Sequence, residues 1–520
     1  MDVCVILGTE PLKKEVWYLN FRYRMSSGAT TTDPASHPEA SDRIEPYVWK
    51  IAGVVILGMI MSILDTTIVN VALHTLGHDL HSSLAQIQWV ITGYLLSLAA
   101  VIPITGWAAR RYGAKRVYMT SLVLFTIGSA LCAIATSTTE LVLFRVLQGA
   151  GGGMIMPVAQ LIMAQVAGPR RMGRVMGIVA MPAMLGPILG PVVGGSILEG
   201  FHWSWIFLVN VPIGFVAFIA GWRMIPHTDR GQAERLDVVG LALLSTASSV
   251  VVYGLAQLGT PGTSLTAAIV VWPILLGFAL TGVFCWHALR VERPLLDIRL
   301  YANRIFAAAS FTTFALGAAL FGAMILVPLY YQEVRHESLI ATGLLVGPQG
   351  LGMLVAMPIA GRLTDRFGGG RVALFGVSVL CLSTIPMTFI GASTPILGIS
   401  AVLLVRGIGI GFSFMPAMTA AFASLRPEEL SDATPQMNVL QRVGGAIGTA
   451  VLAVVLQRAS GHAPTVTHLA HAFNTAYWWS FGTAALGLIP CIVLLRAENP
   501  RAPLSRAAVN AESTIEPLGA

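Results

Sequence analysis

Fourteen stretches of this 520-residue chain run for about 20 residues or more almost without charge. A bilayer's hydrocarbon core, about 30 Å thick, needs that length of apolar helix, and in lipid only helices and closed barrels satisfy their own backbone groups. The runs cover 48–73, 87–108, 116–136, 141–166, 175–198, 204–224, 236–257, 267–289, 305–331, 341–361, 372–391, 396–422, 433–456 and 474–495. Charged residues make up 11% of the chain, against about a quarter in a soluble globular protein, so there is too little polar surface to keep it in water. The expected fold is an all-α polytopic membrane protein with 14 transmembrane helices.

The charges between the runs test that count, because basic loops gather on the cytoplasmic side and a missed run would scramble their alternation. Twenty-seven of the 32 Lys and Arg residues fall on one side, Arg335 and Arg458 on the other, and Arg145, Arg406 and Arg442 inside runs. Both termini are therefore expected to be cytoplasmic, and the sequence pI of 9.3 reflects topology, not nucleic-acid binding. Residues 1–47 lack the apolar core of a signal peptide and read as a disordered cytoplasmic tail, with Met25 as an alternative start; residues 497–520 read as a second tail.

Several chemistries are excluded early. The four lysines, Lys13, Lys14, Lys50 and Lys115, leave no GxxxxGK[ST] phosphate loop. The five cysteines are far apart, as expected of reduced core filler. His74, His78, Asp79 and His81 have a spacing that permits a metal site but lack further ligands, so no metal is expected, nor any cofactor or catalytic domain.

The chain repeats itself. Gly106-Trp-Ala-Ala-Arg-Arg-Tyr-Gly-Ala-Lys-Arg-Val117, after the second run, matches Gly361-Arg-Leu-Thr-Asp-Arg-Phe-Gly-Gly-Gly-Arg-Val372, after the tenth, at an offset of 255 residues. Met156-Pro157 and Met415-Pro416 lie 259 apart. Two six-helix bundles, 48–224 and 305–496, are thus expected to flank an inserted pair within 225–304, the plan of transporters with a midplane site between halves.

Four motifs carry a family resemblance. The first run holds Leu64-Asp65-Thr66-Thr67-Ile68-Val69-Asn70-Val71-Ala72-Leu73, similar to LDxTxVNVALP, and the fourth holds Arg145-Val-Leu-Gln148-Gly149, an RxxxG pattern. The fifth holds Gly186-Pro187-Ile-Leu-Gly190-Pro191-Val-Val-Gly194-Gly195, matching GxxxGPxxGG, and the sixth holds Trp203-Ser204-Trp205-Ile206-Phe207-Leu-Val-Asn210-Val-Pro212-Ile-Gly214, close to WRWIFxxNxPxG. Over residues 48–496 the chain resembles the major facilitator superfamily, and within it the fourteen-helix drug:proton antiporter branch (EmrB/QacA type). His74, Ser204 and Arg110 depart from the motifs, standing where Pro, Arg and Asp are usual.

That resemblance implies a plasma-membrane exporter of amphipathic organic molecules driven by a proton gradient. Its partners would be the bilayer, protons and small substrates, with a periplasmic adaptor left open and nucleic acid excluded. The alternative is a dedicated proton-coupled transporter of one metabolite, such as a fatty acid, siderophore or self-made antibiotic.

Asp65 is the one carboxylate well inside a run, a position that costs roughly 2.5–3.5 kcal/mol on insertion scales and so asks for a function or a partner. A proton and an approaching cation would compete there, which is the minimal chemistry of antiport; a structural ion pair with Arg145 is the compatible alternative. One such acid implies one proton per cycle. Asn70, Trp89, Tyr94, Gln148, Gln349, Asn438 and Arg442 are candidates for the substrate pathway, the amides because they must find partners inside runs. Phe321, Met324, Tyr330, Tyr331, Met353 and Met357 either line a pocket or pack, and Arg406 either gates, pairs with backbone carbonyls or snorkels to the interface.

Gly186, Gly190 and Gly194 share one helix face for close approach, Pro187 and Pro191 interrupt its hydrogen bonds, and Gly195 completes the antiporter motif. The repeated loops supply a cytoplasmic gate of Gly106, Arg110, Gly113 and Asp365. In the family the acid of the first loop braces the start of the second half's fifth helix. With Arg110 in its place, an inverted pair is expected with Glu428, Glu429 or Asp432, and Asp432 is the preferred partner.

Overall fold

The computed structural model describes residues 44–167, 171–179, 181–226, 235–257, 267–461 and 465–498, without the side chains of 74, 84, 85, 181–188, 191, 339 and 340. Most of the two expected tails lies outside these residues. The first-half helices are α1 Pro46–Asp79, α2 Trp89–Tyr112, α3 Ala114–Ala133, α4 Thr138–Ala167, α5 Met172–Val179, α6 Met181–Gly200 and α7 Trp205–Met224. The inserted pair is α8 Val238–Gln257 and α9 Ala268–Arg290. The second half contains α10 Arg304–Val334, α11 Leu339–Phe367, α12 Gly369–Phe389, α13 Ile396–Ala423, α14 Leu430–Ser460 and α15 Val466–Ala497.

Thirteen of the described helices, α1–α4 and α7–α15, are long and apolar enough to cross a membrane. The run at 175–198 falls on α5 and α6, which flank residue 180, outside the described residues. Observed helices outrun the apolar stretches where a polar turn continues the backbone ladder. α15 starts eight residues before the apolar run at 474, because Thr465 caps it, its side chain accepting from His468 N at 3.3 Å.

The packing pattern repeats with the sequence. In the first half α1 lies against α6, α2 against α4 and α3 against α4; in the second α10 lies against α14, α11 against α13 and α12 against α13. Glycines set the closest approaches: Gly444 and Gly448 of α14 lie against the backbone carbonyls of Phe314 and Ala318 on α10.

At the end opposite the basic loops, each half keeps its own core. Ile68, Val69, Leu76, Val90, Trp203 and Phe207 build one, and Leu326, Tyr330, Tyr331, Leu452, Phe473 and Tyr477 the other. Tyr330 and Tyr331 are thereby core residues, and Met353 and Met357 are buried on α11, so these four pack instead of lining an open pocket.

The inserted pair bridges the halves. Ser245 and Ser249 of α8 donate to Ala100 O and Leu96 O on α2 at 2.6 and 3.3 Å, while Val270 of α9 packs with Ala450 and Val454 of α14. Asp237 staples the pair at its basic end, accepting from Gly240 N, His287 Nε2 and Leu295 N at 2.8, 2.9 and 3.1 Å. Burial opposes its ionisation, but these hydrogen bonds outweigh it and hold the carboxyl below its ordinary range.

Candidate functional site

Asp65 lies on the stripe of α1 that also buries Ile68, Val69, Ala72 and Leu76, at helical spacing, so it faces the interior of the first half. Asp65 is 0% exposed and Arg145 of α4 1%. Arg145 Nη1 donates to Asp65 Oδ2 at 2.5 Å; Gln148 Nε2 and Asn210 Nδ2 donate to Oδ1 at 2.8 and 3.2 Å. Ser129 Oγ, on α3, accepts from both amides at 3.1 Å and donates to Phe207 O at 3.0 Å.

Arg145 is equally engaged. It donates to Gln148 Oε1 at 2.8 Å and Val90 O at 3.2 Å, and its guanidinium sits 4.0 Å from the centre of the Tyr94 ring. Small residues permit this density: a methyl at Gly128 would lie 2.7 Å from Gln148 Cα, and one at Gly149 2.6 Å from Tyr94 O. Four helices thus converge on one carboxylate. Direct competition between a proton and a substrate cation at Asp65 has no opening in this conformation, since the acid is sealed and both its oxygens are engaged.

The motif glycines sit one turn further along α1. A methyl at Gly190 would collide with Thr67, and one at Gly194 would lie 3.2 Å from Ile68 Cγ2, so α6 presses against α1 just beyond Asp65. Gly195 is half-buried on the same helix, while the side-chain positions of Gly186, Pro187 and Pro191 lie outside the described ones; the helix itself runs unbroken through both prolines.

At the basic end the halves are tied twice. Arg110 of α2 forms an ion pair with Asp432 in the first turn of α14, and its Nη1 also donates to Ser431 Oγ at 3.2 Å. Of the three acids near that helix start, Glu429 is taken by Arg426, whose Nη2 and Nε lie 2.8 and 3.1 Å from Oε1. In the second copy Asp365 of α11 accepts from Gly173 N at 2.9 Å, Arg174 N at 3.3 Å and Arg174 Nε at 3.2 Å, at the start of α5. Gly106 lies against Ser431 O, and a methyl at Gly361 would lie 2.5 Å from Gly173 O. Each loop turns on a glycine with positive φ, Gly113 at 86° and Gly368 at 90°.

A family model described as Major Facilitator Superfamily matches residues 55–449. The chain belongs to that superfamily. Among its relatives, a Multidrug resistance protein B homolog of Mycobacterium tuberculosis (strain ATCC 25618 / H37Rv) is 39% identical over 443 residues, covering 83% of this chain and 82% of that protein. Multidrug export protein EmrB of Haemophilus influenzae is 30% identical over 404 residues, covering 76% and 78%. Two solved superfamily-like folds align at low identity and bear on the fold alone. The human organic anion transporter MFSD10 (TETRAN) has TM-score 0.60 at 14% identity, covering 86% of this chain and all of that one. The proton:xylose symporter XylE has TM-score 0.57 at 15%, covering 85% and 94%.

For a superfamily member, the pathway candidates divide. Gln148 belongs to the Asp65 network, and Tyr94, fully buried, stacks on Arg145 with its hydroxyl 3.5 Å from Thr66 Oγ1. Asn70 is exposed, its Nδ2 donating to Thr66 O at 3.1 Å. Trp89 is 44% exposed and stands 6.1 Å, ring to ring, from Tyr253 of the inserted pair. Gln349 buries an Oε1 without a partner among the described residues. Asn438 Nδ2 bonds Gln160 Oε1 across the halves at 2.7 Å. Arg442 is half-buried one turn above Asn438.

Arg406 corrects the expectation of a snorkelling residue: it is 2% exposed, and its Nη1 donates to Thr384 Oγ1 at 3.2 Å inside the second half. Ser129, Gln160 and Asn210 were missed. Asn210 stood within a quoted motif, and Gln160 met the same test as Gln148, an amide inside an apolar run; Ser129 gave no signal, because a lone hydroxyl in a helix satisfies itself on its own backbone. The histidines after the first run show His78 Nδ1 2.9 Å from Asp79 Oδ1, and the side chain of His74 lies outside the described ones.

Proposed function

We propose that this chain exports amphipathic organic compounds across the plasma membrane in exchange for protons, by alternating access between two six-helix halves. Fourteen transmembrane helices with both termini cytoplasmic are the arrangement that fits, the run at 175–198 supplying the fourteenth and α8 and α9 the inserted pair. The relatives named for multidrug resistance and export support the substrate breadth. With the basic loops cytoplasmic, the Arg110–Asp432 and Asp365–α5 ties hold the cytoplasmic end shut while the outer cores stay separate, an outward-facing arrangement.

One observation carries the coupling: a fully buried carboxylate with every hydrogen bond supplied by α4, α7 and, through them, α3. Protonating Asp65 removes the charge that holds Arg145, Gln148 and Asn210, loosening α1 from α4 and α7. The next turn of α1 bears on Gly190 and Gly194 of α6, and α5 meets Asp365 at the gate. Loading of a proton and release of the gate are thus linked through the α1–α6 and α5–α11 contacts, with Asp65 and Arg145 as the coupling pair and no cofactor beyond the proton gradient.

The test is proton-driven efflux from everted vesicles. Asp65→Asn alone strands Arg145 as a buried, unpaired cation, which costs about 3–5 kcal/mol. Asp65→Asn with Arg145→Gln removes both charges and separates coupling from folding. Both variants should lose proton dependence, and the double variant should reach the membrane at wild-type levels. Undiminished proton-driven efflux in either refutes the role of Asp65.

A further inference from the structure

One face of α14 carries Ser431, Pro435, Asn438 and Arg442, spaced four, three and four residues apart, so they form a single stripe along the helix. The first three touch the opposite half. Ser431 and Pro435 meet Gly106, with a methyl there 3.4 Å from Pro435 Cγ, and Asn438 bonds Gln160 at 2.7 Å. Arg442 is the next position up the stripe and is half-buried. Among the described residues nothing accepts a hydrogen bond or forms an ion pair with its guanidinium, and Tyr94 of α2, across the halves, is the titratable group within electrostatic reach.

The remaining deep charges cannot neutralise it. Asp65 is consumed by Arg145, Gln148 and Asn210, and Arg406 is a further cation, held at Thr384. The described membrane interior therefore holds three guanidinium groups and one carboxylate, and the one guanidinium without a described partner stands half-buried on the stripe of α14 that meets the other half. A cation at that depth is retained where it meets a ligand or water, and guanidinium offers a planar fork matched to two oxygens of one acid group.

We propose that Arg442 is the recognition point for the acidic head group of the substrate, so that the preferred cargo is an anionic amphipath bearing a carboxylate, sulfonate or phosphate, not a cationic one. This rests on the export reading above and names its substrate class. An anionic lipid head group has the same chemistry and competes for the same fork.

The experiment measures binding to the purified full chain in nanodiscs, using straight-chain probes of 8 to 16 carbons in three matched forms: carboxylate, primary amide and trimethylammonium. Wild type should bind the carboxylate about 10-fold more tightly than the other two, the range of one charge-assisted contact. Arg442→Gln should lose that preference, binding the carboxylate no more tightly than the amide, with its thermal melt in nanodiscs as the folding control, and Arg442→Lys should keep part of it. Phosphatidylglycerol in place of phosphatidylcholine should weaken carboxylate binding in wild type but not in Arg442→Gln if lipid is a second source of the anion. Equal affinity for the three head groups at every chain length, tightest binding of the trimethylammonium form, or an equal loss for all three in Arg442→Gln overturns the proposal. Head-group selectivity that persists when proton-driven efflux of every probe is absent would sink the export reading and leave this site standing; efflux without selectivity does the reverse.

Discussion

The loop after α2 and the loop after α11 are two copies of one device, and they close the same end of the molecule with opposite charges. Both turn on a glycine with positive φ, at Gly113 and Gly368, and both bring a glycine, Gly106 or Gly361, against backbone of the other half. They differ in what the charged residue can bind. Asp365 is an acceptor, so it bonds the free N–H groups at the start of α5 directly, where the helix dipole also favours a negative charge. Arg110 is only a donor and cannot bind a helix start. Its partner helix must supply the acceptor, and α14 does so with Asp432 in its first turn. A reversed charge on the loop is tolerated because the acid has moved to the other side of the contact, still at a helix N-terminus.

That contrast can be broken most severely at Asp365. Asp365→Arg sets a cation against the N–H groups of Gly173 and Arg174, with no acid in the described first turn of α5 to receive it. Export should fall below about 1% of wild type, and a cysteine label reaching the midplane from the cytoplasmic side should react faster; normal export would show that the helix start is not the true partner. Asp365→Asn keeps one acceptor and should cost about 1–3 kcal/mol of the closed state, some 5- to 150-fold in its population.

The first copy should be the weaker tie, since Arg110 and Asp432 remain 21% and 18% exposed and such pairs contribute about 1 kcal/mol. Either single charge reversal should reduce export several-fold, and Arg110→Asp with Asp432→Arg should recover most of it. A swap with Glu429 should recover nothing, because Arg426 already holds that acid. Failure of swaps at Asp432, Glu428 and Glu429 alike would dissolve the pairing. The smallest effect on export belongs to the turns: Gly113→Ala and Gly368→Ala each force an L-residue into positive φ, costing about 1–3 kcal/mol seen as a lowered thermal melt, and at Gly368 the added methyl would also lie 2.9 Å from Glu498 Oε2.

The motif resemblance located Asp65, Arg145, the glycine face of α6 and both loops, and the inversion at Arg110 was legible because three acids followed at the start of the thirteenth run. The sequence did not show that Asp65 is fully buried, that Gln148 bonds it, or that Arg406 is anchored to Thr384. In helices apolar on every side, no amphipathic stripe separates the face toward lipid from the face toward a neighbour.

What the sequence determined by itself was everything the bilayer enforces residue by residue: the apolar runs, the side on which basic loops collect, the repeat, and the short list of charges inside runs that must have a reason to be there. Lipid cannot satisfy a backbone group or hydrate a charge, so those demands are written locally in composition. Tertiary structure alone decided which donor meets which acceptor. Four partners drawn from α3, α4 and α7 enclose Asp65, Arg110 finds Asp432 more than 300 residues away, and Arg442 finds none among the described residues, because hydrogen bonds between helices depend on rotation and depth that no single helix encodes.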